Sequence, residues 1–203
     1  MKAIISMMSE LMTANKDWLT ELDAAIGDGD LGLTMPRGFG KATETVMALE
    51  ETDIGVMLSK AGMAIAQTAP STMGTLVASG FMKSGKALKG KQALALADVV
   101  EAIAQFTEGI MARGKAQPGG KTILDALYPA VQALQKASNE QKTLAEGLQA
   151  AYQAACQGVE ATKAMVAQYG RPAYYREKSI GKQDPGATVG MLMLRAFVEY
   201  VNS

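Results

Sequence analysis

The sequence predicts an all-α fold, a bundle of about eight antiparallel helices. Three observations predict it. Apolar residues recur at helical spacing almost throughout, and the period-two alternation of half-buried strands is scarce. Most segments between the apolar stripes are short, as in a bundle. Ala, Gly and Met are abundant, which suits close helix packing with adaptable filling and equally suits an apolar cavity.

Each element follows from its stripe. Ile4, Met8, Leu11, Trp18, Leu22 and Ile26 predict a first helix with Trp18 in the core. Met35, Phe39, Ala42 and Val46 predict a second, and Ile54, Met57, Leu58, Ala61 and Ile65 a third. Met73, Leu76, Val77, Gly80 and Phe81 open a fourth. Leu96, Val100, Ile103, Thr107 and Ile110 make a fifth, and Leu124, Leu127, Val131 and Leu134 a sixth. Leu144, Leu148, Ala151, Ala155 and Val159 make a seventh, and Val189, Leu192, Ala196 and Phe197 an eighth. One connection is long, from about Gln168 to Ala187. In a compact domain such a loop is functional or disordered, and its aromatics and Ile180 argue against disorder. No repeat, low-complexity tract or linker interrupts the chain, so residues 1–203 are expected to form one domain.

Bulk properties exclude several functions. Twenty basic and twenty acidic side chains cancel, so no net field favours nucleic acid or an anionic membrane. A single cysteine, Cys156, forbids an intrachain disulfide and fits a reducing compartment. The N-terminal apolar run is too short for a signal peptide, and no stretch approaches a membrane span. A cytoplasmic location is expected. The chain has no histidine, which excludes a Ser-His-Asp triad, a histidine base and a His-ligated metal within it.

The most informative segment is Leu22-Asp-Ala-Ala-Ile-Gly-Asp-Gly-Asp. Asp23, Asp28 and Asp30 fall within eight residues, interleaved with glycines. At about 4 Å, each like-charge pair costs about 1 kcal/mol in water and about 4 at an effective dielectric near 20. Gathering them requires a cation. An all-oxygen ligand set selects a hard ion, Mg²⁺ or Ca²⁺. An EF-hand is ruled out, because its bidentate Glu position falls on Phe39. The fragment alone reads as well as an acidic turn; the rest of the chain favours the metal.

Three more polar segments interrupt the helices. Gln67-Thr-Ala-Pro-Ser-Thr-Met-Gly-Thr75 resembles a helix start whose amides and hydroxyls suit a phosphate, or an ordinary N-cap. Arg113-Gly-Lys-Ala-Gln-Pro-Gly-Gly-Lys-Thr122 ends like a P-loop, but the first motif glycine would fall on Lys115 and the preceding segment is helical. It remains a Gly-rich turn that lets backbone approach a ligand. The long loop carries Arg171 and Asp184-Pro-Gly-Ala. In an up-and-down bundle, the connections after helices one, three, five and seven emerge at one end. These are the four segments, and together they suit a metal–nucleotide site.

At this point the chain resembles the L, or ADP-binding, subunit of dihydroxyacetone kinases. The resemblance runs over nearly the whole chain. It is carried by Leu22-Asp-Ala-Ala-Ile-Gly-Asp-Gly-Asp, Arg37-Gly-Phe, Arg113-Gly-Lys-Ala-Gln-Pro-Gly-Gly-Lys-Thr, Gly170-Arg-Pro-Ala-Tyr-Tyr and Asp184-Pro-Gly-Ala-Thr, in that order. It implies a barrel of eight antiparallel helices with ADP or ATP at one end. Asp23, Asp28 and Asp30 match the family's acids, which hold two Mg²⁺ ions on the phosphates. Thr34, Ser71, Thr72 and Gly74 match phosphate-side positions. Gly114, Thr122 and Ile123 match positions near the nucleotide, and Arg171 and Asp184 match its lid-like loop. A K-type partner subunit is implied, holding a small ketose through a histidine. Two family histidines are replaced, by Leu31 and Lys182. Leu31 predicts weaker dependence on a phosphohistidine donor protein, with Lys182 a candidate to replace the lost contact. The alternative is a nucleotide-sensing regulatory module without turnover.

Overall fold

In the computed structural model, which describes residues 1–203, the eight stripes become nine α-helices. They are α1 (Lys2–Ala14), α2 (Lys16–Ala24), α3 (Leu31–Met47), α4 (Ile54–Thr68), α5 (Thr72–Ala87), α6 (Leu96–Gly114), α7 (Leu124–Asn139), α8 (Leu144–Ala161) and α9 (Pro185–Asn202). The first predicted helix is broken at Asn15. Its amide Nδ2 donates to the Leu11 carbonyl at 2.8 Å, and its backbone leaves the helical region at φ −105° and ψ 17°. A side chain that competes for a carbonyl in this way favours a turn over a continued helix. The break moves the inward face by one residue. Leu19 is fully buried, while Trp18, expected in the core, is 39% exposed.

From α3 onward each helix packs on the next. The bent α1–α2 rod lies between α3 and α9, and the contact of α9 with α1 closes the ring. Short connections make these neighbours antiparallel. The stripes face inward. Met35, Phe39, Ala42 and Val46 are all sealed, as are Leu124, Leu127, Val131 and Leu134. Phe81 meets Phe39 and Phe106 edge-on, at ring-centroid distances of 6.0 and 5.2 Å, which joins α3, α5 and α6 across the core. The filling is nearly complete: an apolar cavity of about 40 Å³ remains among Met8, Leu58, Phe81, Met193 and Phe197. No helix is long and apolar enough to cross a membrane.

Side-chain caps set where the helices begin, and so where the connections end. Asp53 starts α4 by accepting from Gly55 and Val56 N–H, and its second oxygen accepts from Gly90 N–H at 2.8 Å. Thr143 and Glu146 form a reciprocal capping box at α8. The α8–α9 connection carries regular structure. It contains 3₁₀ turns at Thr162–Ala164 and within Arg171–Ser179, the latter kinked at Arg176, and α9 starts at Pro185, inside the stretch expected to be loop.

Candidate functional site

Alternating helix directions bring the α2–α3, α4–α5, α6–α7 and α8–α9 connections to one end of the ring. There they surround a cavity of about 900 Å³. Asp23 enters it from the last turn of α2, Asp28 from the loop, and Asp30 from the residue preceding α3. Carboxylate oxygens of the three lie within 4.8 Å of one another. Asp23 accepts from Leu31 N–H at 3.2 Å. Burial pushes its carboxyl up, the Leu31 N–H opposes this, and Asp28 pushes it further. Burial also raises Asp30, with Asp28 and Asp23 adding to it and Arg171 offsetting part. Arg171 reaches across the mouth to Asp28, 2.9 Å away, from a position that leaves it 69% exposed. Three clustered acids, two of them pushed up by burial and by Asp28, that meet a single guanidinium are a site short of positive charge. The donor set is all oxygen, so the residues present fit Mg²⁺.

Ser71 and Thr72 line the same cavity at the start of α5. Ser71 Oγ caps that helix by accepting from Gly74 N–H at 3.1 Å. The N-cap reading of this segment is therefore correct, and the capped end also borders the cavity. Gly114, Thr122, Ile123 and Arg171 complete the lining from the other two connections.

Three expected site residues are placed differently. Thr34 lies a turn inside α3, directs its hydroxyl at the Leu31 carbonyl, and does not border the cavity. Gly74 is buried behind the Ser71 turn, where an added Cβ would lie 2.0 Å from the Ala69 carbonyl oxygen. Its role is close backbone packing. Asp184 borders the cavity but is only 4% exposed, and its carboxylate caps α9 by accepting from Ala187 N–H at 2.7 Å. Lys182, the candidate to replace the lost contact, is exposed and outside the cavity lining. The Leu31 side chain is buried, leaving its N–H as its contribution to the acid cluster.

Sequence reasoning missed Lys121, Asp125 and Tyr169. Asp125 accepts from Thr122 N–H at 2.7 Å and from Gly119 N–H, shaping the Gly-rich turn. Thr122-Ile-Leu-Asp125 has the spacing of a capping box, a signal available in the sequence. Lys121 does not behave as a P-loop lysine, since its ammonium is spent on two backbone carbonyls.

Burial raises the Asp184 carboxyl to about 7, with the Ala187 N–H and Lys121 pulling against it and Asp125 adding to it. The folded chain then holds this proton more tightly than the unfolded chain. Its contribution to stability falls as pH rises from the ordinary value of 3.8 to about 7. Asp184→Asn keeps a capping oxygen but does not titrate. Between these pH values the wild type should lose stability relative to this variant, by on the order of a few kcal/mol at most. Urea unfolding at stepped pH measures the difference, and parallel stability profiles would exclude this origin.

Comparison with known proteins agrees with this geometry. The DAK2 domain family matches residues 25–199. The chain is 36% identical over 186 residues to the PEP-dependent dihydroxyacetone kinase, ADP-binding subunit DhaL, of Escherichia coli (strain K12), covering 92% of this chain and 89% of that protein. It is 32% identical over 203 residues to the L-erythrulose kinase of Pectobacterium atrosepticum, covering 99% of this chain but 34% of that protein. Among solved structures, the dihydroxyacetone kinase of C. freundii in complex with AMP-PNP and Mg²⁺ has the same fold, with a TM-score of 0.76 at 23% identity. That match covers 98% of this chain and 33% of the larger enzyme. The chain belongs to the DAK2 domain family, that of the ADP-binding subunits of dihydroxyacetone kinases.

Proposed function

We propose that this chain is the nucleotide- and Mg²⁺-binding subunit of a kinase acting on dihydroxyacetone or a related small ketose. The observation that carries the reading is the meeting of four connections around one 900 Å³ cavity, with three carboxylates clustered within 4.8 Å on one wall. The relatives named for ADP binding and for erythrulose phosphorylation support the nucleotide and the substrate class. Residues 1–203 act as one nucleotide-binding domain, in a cytoplasmic setting that a lone free cysteine fits.

Asp23, Asp28 and Asp30 would hold two Mg²⁺ ions. Bound there, Mg²⁺ supplies neutralisation and orientation of the nucleotide's phosphates. Arg171 exchanges Asp28 for phosphate, keeping a charge-assisted contact in both states. The start of α5 presents hydroxyls and free N–H groups to the same phosphates. Ile123 and Gly114 also line the cavity, where a nucleoside packs. Phosphoryl transfer is mainly positioning and charge stabilisation, which these groups provide. The acceptor is anchored elsewhere: the chain has no histidine, so a K-type partner subunit holds the ketose and supplies the base.

Reconstitution tests this. Dialysed chain with Mg-ATP and dihydroxyacetone should give no phosphorylated product by mass spectrometry, and adding a K-type subunit should start turnover. With Leu31 apolar, turnover should depend less on a phosphohistidine donor protein, and exchanging Mg-ATP should support part of it. Turnover only when such a protein is added would show that bound ADP is rephosphorylated in place. Robust turnover by the chain alone would refute the division of labour. Nucleotide binding with no turnover beside any partner would leave a regulatory module.

A further inference from the structure

Lys121 is 1% exposed, yet no carboxylate lies within ion-pair distance of its ammonium. Its backbone stands at φ 59°, a left-handed conformation that costs a side-chain-bearing residue free energy. Burial holds its pKa below the ordinary lysine value, with Asp184 opposing. Such a group persists only when its protons are well used. They go to the carbonyls of Met165, at 3.2 Å, and Ser179.

Those two carbonyls mark the ends of an excursion of the α8–α9 connection, and other bonds close the same neck. Ser179 Oγ accepts from Ala167 N–H at 3.0 Å, and Gly181 N–H donates to the Lys163 carbonyl at 2.7 Å. The excursion then leans on the Gly-rich turn. Gln168 N–H donates to the Gly120 carbonyl at 3.1 Å, and the Tyr169 ring lies so close over Gly120 that an added Cβ would come within 2.4 Å of it. Beyond this seam, Gly170, Arg171 and Pro172 line the cavity, and Arg171 reaches Asp28.

Resting on the nucleotide reading of the cavity, we propose that Lys121 is a positioning residue: it pins the neck of the 165–179 loop to the Gly-rich turn and so holds Arg171 over the nucleotide phosphates. Lys121 borders the cavity, but its ammonium is directed at the Met165 and Ser179 carbonyls. Arg171, exposed and joined to the fold through this neck, keeps its place only while the neck is closed.

The test uses the full chain. Lys121→Met keeps the aliphatic stem and removes the ammonium. Without ligand, amide exchange at Ala167, Gln168 and Gly181 should accelerate at least about tenfold, with α3 to α5 unchanged. Mg-ADP should dissociate about tenfold faster, with association within about twofold of wild type. Because Lys121 acts through Arg171, the Lys121→Met/Arg171→Ala double variant should bind within about twofold of Arg171→Ala alone. Unchanged exchange at the neck, or the same loss of affinity whether or not Arg171 is present, would overturn the proposal. If wild-type chain binds no Mg-ADP, the nucleotide reading fails, and with it the role over phosphate, while the exchange arm still decides the clamp. If Lys121→Met does not fold, Ser179→Ala opens the same neck without touching a charge. Faster exchange at Ala167 together with non-additivity towards Arg171→Ala supports the clamp, and additive losses exclude it.

Discussion

Asp28→Asn should weaken Mg-dependent nucleotide binding at least about tenfold, roughly 1.4 kcal/mol. The substitution removes a charged ligand from the triad and leaves Asp23 and Asp30 as the remaining acids to hold the metal. In the metal-free chain it should cost little. Asp28 raises both neighbouring carboxyls, so its removal relieves repulsion. The lost ion pair with Arg171 is mostly exposed, and exposed pairs contribute at most about 1 kcal/mol. The expected result is therefore a melting temperature equal to or above wild type without metal, and a clear loss of affinity with it. Calorimetry of ADP binding in Mg²⁺ and in EDTA separates the two. Equal Mg-ADP affinity in variant and wild type would remove Asp28 from the ligand set.

Gly74→Ala should be the most damaging small substitution at the site, although Gly74 faces no ligand. Its Cβ would lie 2.0 Å from the Ala69 carbonyl oxygen and 3.0 Å from the Ala69 Cβ. Ala69 has little freedom to retreat. Its N–H is bonded to the Ile65 carbonyl at 2.9 Å, and its carbonyl accepts from Ser71 N–H at 2.7 Å. Relief requires opening the turn that carries Pro70, Ser71 and Thr72, all of which line the cavity. Overpacking of this kind costs about 1–3 kcal/mol, and the upper end applies where the clash is with backbone. For a chain of this length that is a fall in Tm of roughly 6–12 °C, with weaker Mg-ADP binding because the phosphate-side turn has moved. A Tm within about 1 °C of wild type would show that the turn yields without strain.

Much of the molecule was legible in the sequence because the relevant information is local. Apolar spacing marks which side of each helix faces inward, so Met35 to Val46 and Leu124 to Leu134 fall in the core as the periodicity requires. Alternating direction then sends every second connection to the same end. The acids of the α2–α3 loop, the Ser71 turn, the Gly-rich turn and the Arg171 loop thereby meet around one cavity. Residues that fit both a helix face and a capping motif were harder. The apolar stripe from Ile4 to Ile26 predicts one helix, and only the capture of the Leu11 carbonyl by the Asn15 side chain splits the rod and leaves Trp18 partly in water.

What the sequence by itself determined is the fold class, the charge chemistry of Asp23, Asp28 and Asp30, and the end of the ring at which they stand. Only the tertiary structure decided which neighbouring residues face the cavity and which hold it open. Thr34 and Gly74 turn away from it, Asp184 is spent on capping α9, and Lys121 closes a neck between carbonyls that lie 44 and 58 residues further along the chain. A helical period records the average direction of a face. The partners of a buried polar group depend on which distant carbonyls and amides the packed chain brings within about 3 Å of it, the reach of a hydrogen bond, and no local pattern carries that information.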